Sequence, residues 1–157
     1  MIAGVVAGGR PLVSAVAKAV RLAVAHTTSP YITIYNTSDW SVLPNPSVLP
    51  TGMGRGVAFN AAGTLMAVAH TTSPYVTIYN TSDWSKVANP AVLPADTTTG
   101  VSFSPDGALM AVSVAGTPAV VIYNTSDWSK VTNPAVLPTG TGRGVAFNAA
   151  GTMMAVG

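Results

Sequence analysis

The sequence predicts an all-β fold assembled from tandem four-stranded antiparallel units. Three observations carry this prediction. The pentapeptide Asn-Thr-Ser-Asp-Trp occurs three times, with its tryptophan at Trp40, Trp84 and Trp128, an interval of 44 residues each time. Each interval holds short apolar runs rich in Val, Ile, Tyr and Thr, the residues that fit a pleated, half-buried surface. Between the runs stand Gly, Pro, Asn, Asp and Ser, the residues that make turns. The copies are nearly identical: Leu22 to Trp40 lies against Met66 to Trp84 with mismatches only at Leu22/Met66 and Ile32/Val76.

In the middle unit, Gly56 to Asn60 (GVAFN) is the first strand, followed by the turn Ala61-Ala62-Gly63. In the next unit the same place reads Pro105-Asp106-Gly107, where proline presets one turn dihedral and glycine supplies a positive one. Leu65 to His70 is the second strand, and Thr71-Thr72-Ser73-Pro74 connects it to the third, Tyr75 to Asn80. In that run Thr77 alternates with Val76 and Ile78 among β-branched and aromatic neighbours. Asn80 to Asp83 reads as a turn, since Asn, Ser and Asp side chains bond their own backbone. The fourth strand, Lys86 to Leu93, contains Pro90 and therefore belongs at a sheet edge or begins after the proline.

A sheet of this kind has two apolar faces, and radial stacking covers both. The predicted architecture is a β-propeller, with GVAFN innermost and the proline-bearing strand outermost, where an edge is tolerated. A β-solenoid is the rival, but its coils repeat over about 20 residues, and no half-period is visible. Residues 21–157 hold about three to three and a half blades, too few to close a ring as a single chain. Gly56 to Leu93 and Gly100 to Leu137 are complete units, and Gly144 to Asn148 with Met153 to Val156 is a final half. At the start, Tyr31 to Asn36 and Val42 to Leu49 are the third and fourth strands of a unit. Residues 27–157 span one position less than three periods, so half-blades of two chains are expected to complete one another in a six-bladed ring. Leu22 to His26 competes with Met153 to Val156 for the second-strand place in that scheme. Residues 1–20 are a divergent segment: LVSAV reads as a degenerate first strand, or Val13, Val16 and Val20 mark a short helix.

Composition excludes several functions. Seven basic residues against five acidic ones, a formal charge of +2, are too few and too dispersed for a nucleic-acid surface. The absence of cysteine removes disulfides, thiol catalysis and Cys-ligated zinc. The N-terminus lacks a positive leader region and is broken by Gly8, Gly9, Arg10 and Pro11, which argues against a secretory signal. No run approaches the roughly 18 apolar residues of a membrane span.

The run Val101 to Gly107 (VSFSPDG), the strand Leu109 to Val112 and the strand ending Val121 to Asn124 (VIYN) resemble the WD40 repeat of β-propellers, and the resemblance covers residues 21–157. With the repeated YNTSDW, the near-identical blades also resemble WD40-type repeats of bacterial and tailed-phage proteins. That likeness implies a cytoplasmic or virion-associated location in preference to secretion. Two family features are missing. Tyr35-Asn36, Tyr79-Asn80 and Tyr123-Asn124 stand where the family has Trp-Asp, and Gly54-Arg55-Gly56 and Gly142-Arg143-Gly144 replace its Gly-His. The family's His-Ser-Asp-Trp hydrogen-bond network therefore cannot form as such, and cohesion between blades is expected to rest more on packing.

The candidate ligand-binding residues are Trp40, Trp84, Trp128, Arg55 and Arg143. Each tryptophan is either a platform on which a sugar ring stacks between blades, as in propeller lectins, or a wedge packed against the neighbouring blade, the better-supported reading. Arg55 and Arg143 lie in equivalent connections near the central channel, yet the unit between them reads Ala95-Asp96-Thr97-Thr98-Thr99-Gly100. No ring of cations results. His26 and His70 share one place, filled by Val114 in the third unit, and without carboxylates or thiols nearby they make a poor metal site. Asp39, Asp83 and Asp127 are copies of one turn residue, whereas acid–base catalysis needs groups in distinct roles that converge. Asn36-Thr37-Ser38 and its copies fit a glycosylation sequon, which turn chemistry explains equally. Gly52 to Gly56 and Gly140 to Gly144 lack the Lys-Ser/Thr of a phosphate loop.

The expected function is thus a non-enzymatic interaction or structural scaffold, phage or prophage associated on the likeness above. It has no catalytic residue, metal or cofactor. Its partner is a protein or a second copy that completes the ring; a carbohydrate-binding propeller that takes a glycan is the alternative.

Overall fold

The computed structural model describes residues 21–157, so the strand-or-helix question over residues 1–20 lies outside the described residues. Within them there is no helix. Ten strands follow in chain order: β1 (Arg21–Ala25), β2 (Ile32–Asn36), β3 (Gly54–Phe59), β4 (Leu65–His70), β5 (Val76–Asn80), β6 (Thr98–Phe103), β7 (Leu109–Val114), β8 (Val120–Asn124), β9 (Val145–Phe147) and β10 (Met154–Val156). They form four antiparallel sheets, β1-β2, β3-β4-β5, β6-β7-β8 and β9-β10. None of the sheets closes on itself.

Local chemistry sets the hairpins. Between β3 and β4, Gly63 takes φ 69°, and Gly107 and Gly151 take φ 75° and 70° at the same place in the next units. A side chain there would meet the left-handed penalty that glycine escapes. Asn60 closes the turn, its Oδ1 accepting from the Thr64 and Leu65 N–H groups at 2.9 and 3.0 Å. Register is then fixed by burial, because a one-residue slip would turn every apolar side chain to the wrong face.

The alternation of β4 and β5 directs two sets of residues to opposite sides. Met66, Val68 and Tyr79 face the first sheet and bury Ile32 and Ile34. Ala67, Ala69, Val76 and Ile78 face the third sheet and pack with Val101, Met110, Val112, Val121 and Tyr123. The third sheet repeats this toward the fourth through Ala111, Val120 and Ile122. The same repeat positions fill each core, and each fully buried Val, Ile or Met contributes about 1.5 to 3 kcal/mol.

Glycine brings the first strands of successive sheets close together. A Cβ on Gly56 would lie 3.0 Å from the Gly100 Cα, and one on Gly100 would lie 3.3 Å from the Gly144 Cα. The strands also begin earlier than GVAFN implies, because β3 and β6 each carry a bulge, across Gly54/Gly56 and Thr98/Gly100. Arg55 and Thr99 are the extra residues.

The expected fourth strands over Lys86–Leu93 and Val42–Leu49 are not present as ladders. Each is reduced to one bridge, Tyr79↔Lys86 and Tyr35↔Val42, with a third at Tyr123↔Lys130. One further bond follows in the middle unit, from the Val87 N–H to the Ile78 carbonyl at 2.8 Å. Beyond it, Pro90 and Pro94 are buried and have no N–H to donate. Three-stranded sheets with an irregular outer segment result.

Candidate functional site

The repeated Asn-Thr-Ser-Asp-Trp forms a closed turn. In the middle unit the Trp84 N–H donates to the Asn80 carbonyl at 2.9 Å, and the Asn80 N–H donates to the Ser85 carbonyl at 3.0 Å. The Asp83 carboxylate accepts from the Ser85 N–H at 2.9 Å and from its hydroxyl at 2.7 Å. These bonds, the backbone one foremost, hold the Asp83 carboxyl below its ordinary value, and Asp39 and Asp127 are lowered in the same way by Ser41 and Ser129. Each aspartate is exposed and occupied with its own serine. Trp84 then takes φ 59°, as do Trp40 and Trp128, a conformation that usually falls to glycine at the end of a helical turn. It costs a side chain about 1 to 2 kcal/mol.

Packing offsets that cost for two of the three tryptophans. Trp84 lies against the core between the first and second sheets, with the Arg21 guanidinium 5.0 Å from its ring centroid. Arg21 Nη1 also donates to the Thr81 carbonyl at 2.6 Å. Trp128 lies one unit on, in the core that contains Leu65, the repeat counterpart of Arg21. Trp84 thus meets the start of β1 at Arg21, and Trp128 packs on the core that Leu65, at the start of β4, also packs against. Trp40 is 63% exposed.

A second set of joints was not visible in the motifs. The Tyr79 hydroxyl donates to the Val48 carbonyl at 2.8 Å, and the Tyr123 hydroxyl donates to the Val92 carbonyl at 2.9 Å. Each ties one sheet to the outer segment of the sheet before it. Burial raises both phenols well above the ordinary tyrosine value. Thr99 Oγ1 donates to the Gly142 carbonyl at 2.6 Å, and the Gly54 N–H donates to the His26 carbonyl at 3.0 Å. Cohesion between sheets therefore draws on hydrogen bonds as well as on the packed cores.

His70 is fully buried, and its Nε2 lies 2.9 Å from Thr77 Oγ1. Its Nδ1 has no hydrogen-bond partner. Burial pushes the imidazole down to about 4, and the Thr72 backbone, which favours the proton, offsets this only in part. His26 repeats the pair with Thr33 at 3.0 Å, whereas the third unit carries Val114 and Val121 at these places. The two histidines occupy separate sheets. Among the described residues no group of three or more His, Asp or Glu side chains is placed to hold a metal ion.

Arg55 is exposed on its bulge, and Arg143 is exposed just before β9, its N–H donating to the Gly157 carbonyl. Thr99 occupies the equivalent place between them and is committed to the Gly142 carbonyl. The structure sets the two arginines two sheets apart, and it sets the three tryptophans on three separate sheets.

These features define an all-β repeat protein made of stacked antiparallel sheets. No family model matches the chain, and no curated protein matches it in sequence. Among solved structures it is similar to hydrazine synthase of Kuenenia stuttgartiensis, with a TM-score of 0.68 and 18% identity over 80% of this chain. The match spans 35% of that chain, about a third of its length. With 642 solved chains matching in structure, the likeness shows a widely used fold and carries no activity with it.

Proposed function

We propose that the chain is a non-enzymatic interaction or structural scaffold of the β-propeller type, in which each sheet and its single-bridge outer segment form one WD40-like blade. One observation supports this above the others. The buried polar groups serve the architecture: Thr81 bonds the hairpin of its own sheet at the Gly63 carbonyl, 2.6 Å away, as Thr125 bonds the Gly107 carbonyl one unit on, and Thr98 Oγ1 bonds the Tyr75 carbonyl of the preceding sheet. Such groups brace a sheet or join it to its neighbour, where an enzyme would aim them at a substrate.

Negative-stain electron microscopy of the purified protein tests the architecture. Round particles with radial spokes and a central hole are expected. Straight or helical rods would put the sheets in a solenoid and end the propeller reading.

A further inference from the structure

We propose that the open face of the β1-β2 sheet is a self-association surface that takes the β9-β10 end of a second copy of this chain, head to tail. This deepens the scaffold reading and rests on it, because the internal joints between sheets serve as the template.

The repeat makes the comparison residue by residue. Met66 and Val68 are fully buried against the first sheet, in the core that Ala23 also packs against. Their counterparts on the first sheet, Leu22 and Val24, are each 43% exposed. The counterpart of Ala23 on the fourth sheet is Ala155, which is exposed. The tryptophan joint follows the same rule. Trp84 lies by Arg21 of the preceding sheet, and Trp128 packs against the core that Leu65, the counterpart of Arg21, also packs against, while Trp40 is 63% exposed and Met153, the counterpart of Leu65 on the fourth sheet, is 67% exposed. One displacement of a second copy brings Leu22 and Val24 onto Ala155 and Trp40 onto Met153. Every contact it makes copies a joint that already exists within the chain.

The manner of docking also follows. Exchange of half-blades, expected from the phase of the sequence, requires β1 to leave β2. These strands are paired over their full length, from Arg21↔Asn36 to Ala25↔Ile32. Stacking whole sheets keeps that pairing. The joint is heterologous, so it closes only if the rotation suits; two copies joined at both ends bring about eight sheets into one ring, within the known range of blade numbers.

Light scattering coupled to size exclusion, at micromolar concentration, is expected to give twice the mass of one chain. A monomer overturns the proposal. The double variant Leu22→Asp/Val24→Asp, with its strand signal in circular dichroism retained, is expected to weaken association at least about tenfold; unchanged association overturns it. A second test does not depend on destabilising the face. Because the chain has no cysteine, Val24→Cys and Ala155→Cys proteins can be mixed and oxidised. A disulfide between the two variants supports head-to-tail docking, and disulfides confined to Val24→Cys pairs overturn it. Microscopy separates this from the ring: rods that cross-link between the two variants keep the docking and lose the propeller, and round monomers do the reverse.

Discussion

The buried His70–Thr77 pair makes a quantitative prediction, and the protein supplies its own replacement in Val114 and Val121. His70 has its imidazole lowered from 6.5 to about 4 by burial, so the unfolded chain binds a proton that the folded chain refuses. Stability is then complete above pH 6.5 and falls as the pH drops from there towards 4. At about 1.36 kcal/mol per pKa unit, the full loss is about 3 kcal/mol by pH 4, with about 1.4 kcal/mol gone at pH 5.5. The turn aspartates do not confuse this window. Asp39, Asp83 and Asp127 are lowered from 3.8, so the stability they contribute is present above that value and is lost only below it. Urea unfolding at pH 7.5, 5.5 and 4.5 should therefore show the decline in the wild type and its removal in His70→Val/Thr77→Val. The single Thr77→Val change should be worse than the double at neutral pH by about 1 to 3 kcal/mol, since it leaves both ring nitrogens of a buried imidazole without partners. Equal pH dependence in the wild type and the double variant would refute the reasoning.

Three further predictions concern the joints between sheets. Tyr79→Phe removes the bond to Val48 and should cost about 1 kcal/mol in urea unfolding, with Tyr123→Phe costing a similar amount; no loss in either would mean that the hydroxyls do not clamp the outer segments. Arg21→Leu copies Leu65 and should change stability by less than about 0.5 kcal/mol, whereas Arg21→Ala loses both the bond to Thr81 and the cover on Trp84, at about 1 kcal/mol or more by thermal melting. Gly54→Ala should destabilise by about 1 to 3 kcal/mol, because its Cβ would collide with the Tyr31 carbonyl. A soluble, equally stable Gly54→Ala protein would show that the first two sheets are less closely joined.

The repeat, the strand type and most strand positions were legible in the sequence because Trp40, Trp84 and Trp128 set the phase and the Val/Ile/Thr/Tyr runs set the period of two. The outer strand is the exception: the sequence places Lys86–Leu93 at a sheet edge or starts the strand after the proline, whereas the structure holds a single bridge there. Pro90 has no N–H to donate, and only the Tyr79↔Lys86 bridge and the Val87 bond to Ile78 tie this segment to β5. The tyrosine clamps were hidden for another reason. Tyr79 and Val48 lie 31 residues apart and meet only because one sheet stacks on the next, so no local pattern announces the bond. The recurrence of Tyr35, Tyr79 and Tyr123 was the available signal. At the candidate site, the packing reading of Trp84 could be drawn from repetition alone, but the part played by Arg21 could not: that position differs from its Leu65 counterpart, and its purpose shows only beside the ring it covers.

The identity of the cores between successive sheets bears on how such a chain can change in length. When each joint uses the same positions, with Met66 and Val68 meeting one sheet as Met110 and Val112 meet the next, removing or adding a whole unit by recombination rejoins surfaces already matched to one another. No compensating substitution is needed at the seam. Adding or removing a whole unit therefore leaves each seam between sheets matched, while insertion of a single residue inside a unit would disturb every contact that depends on its register.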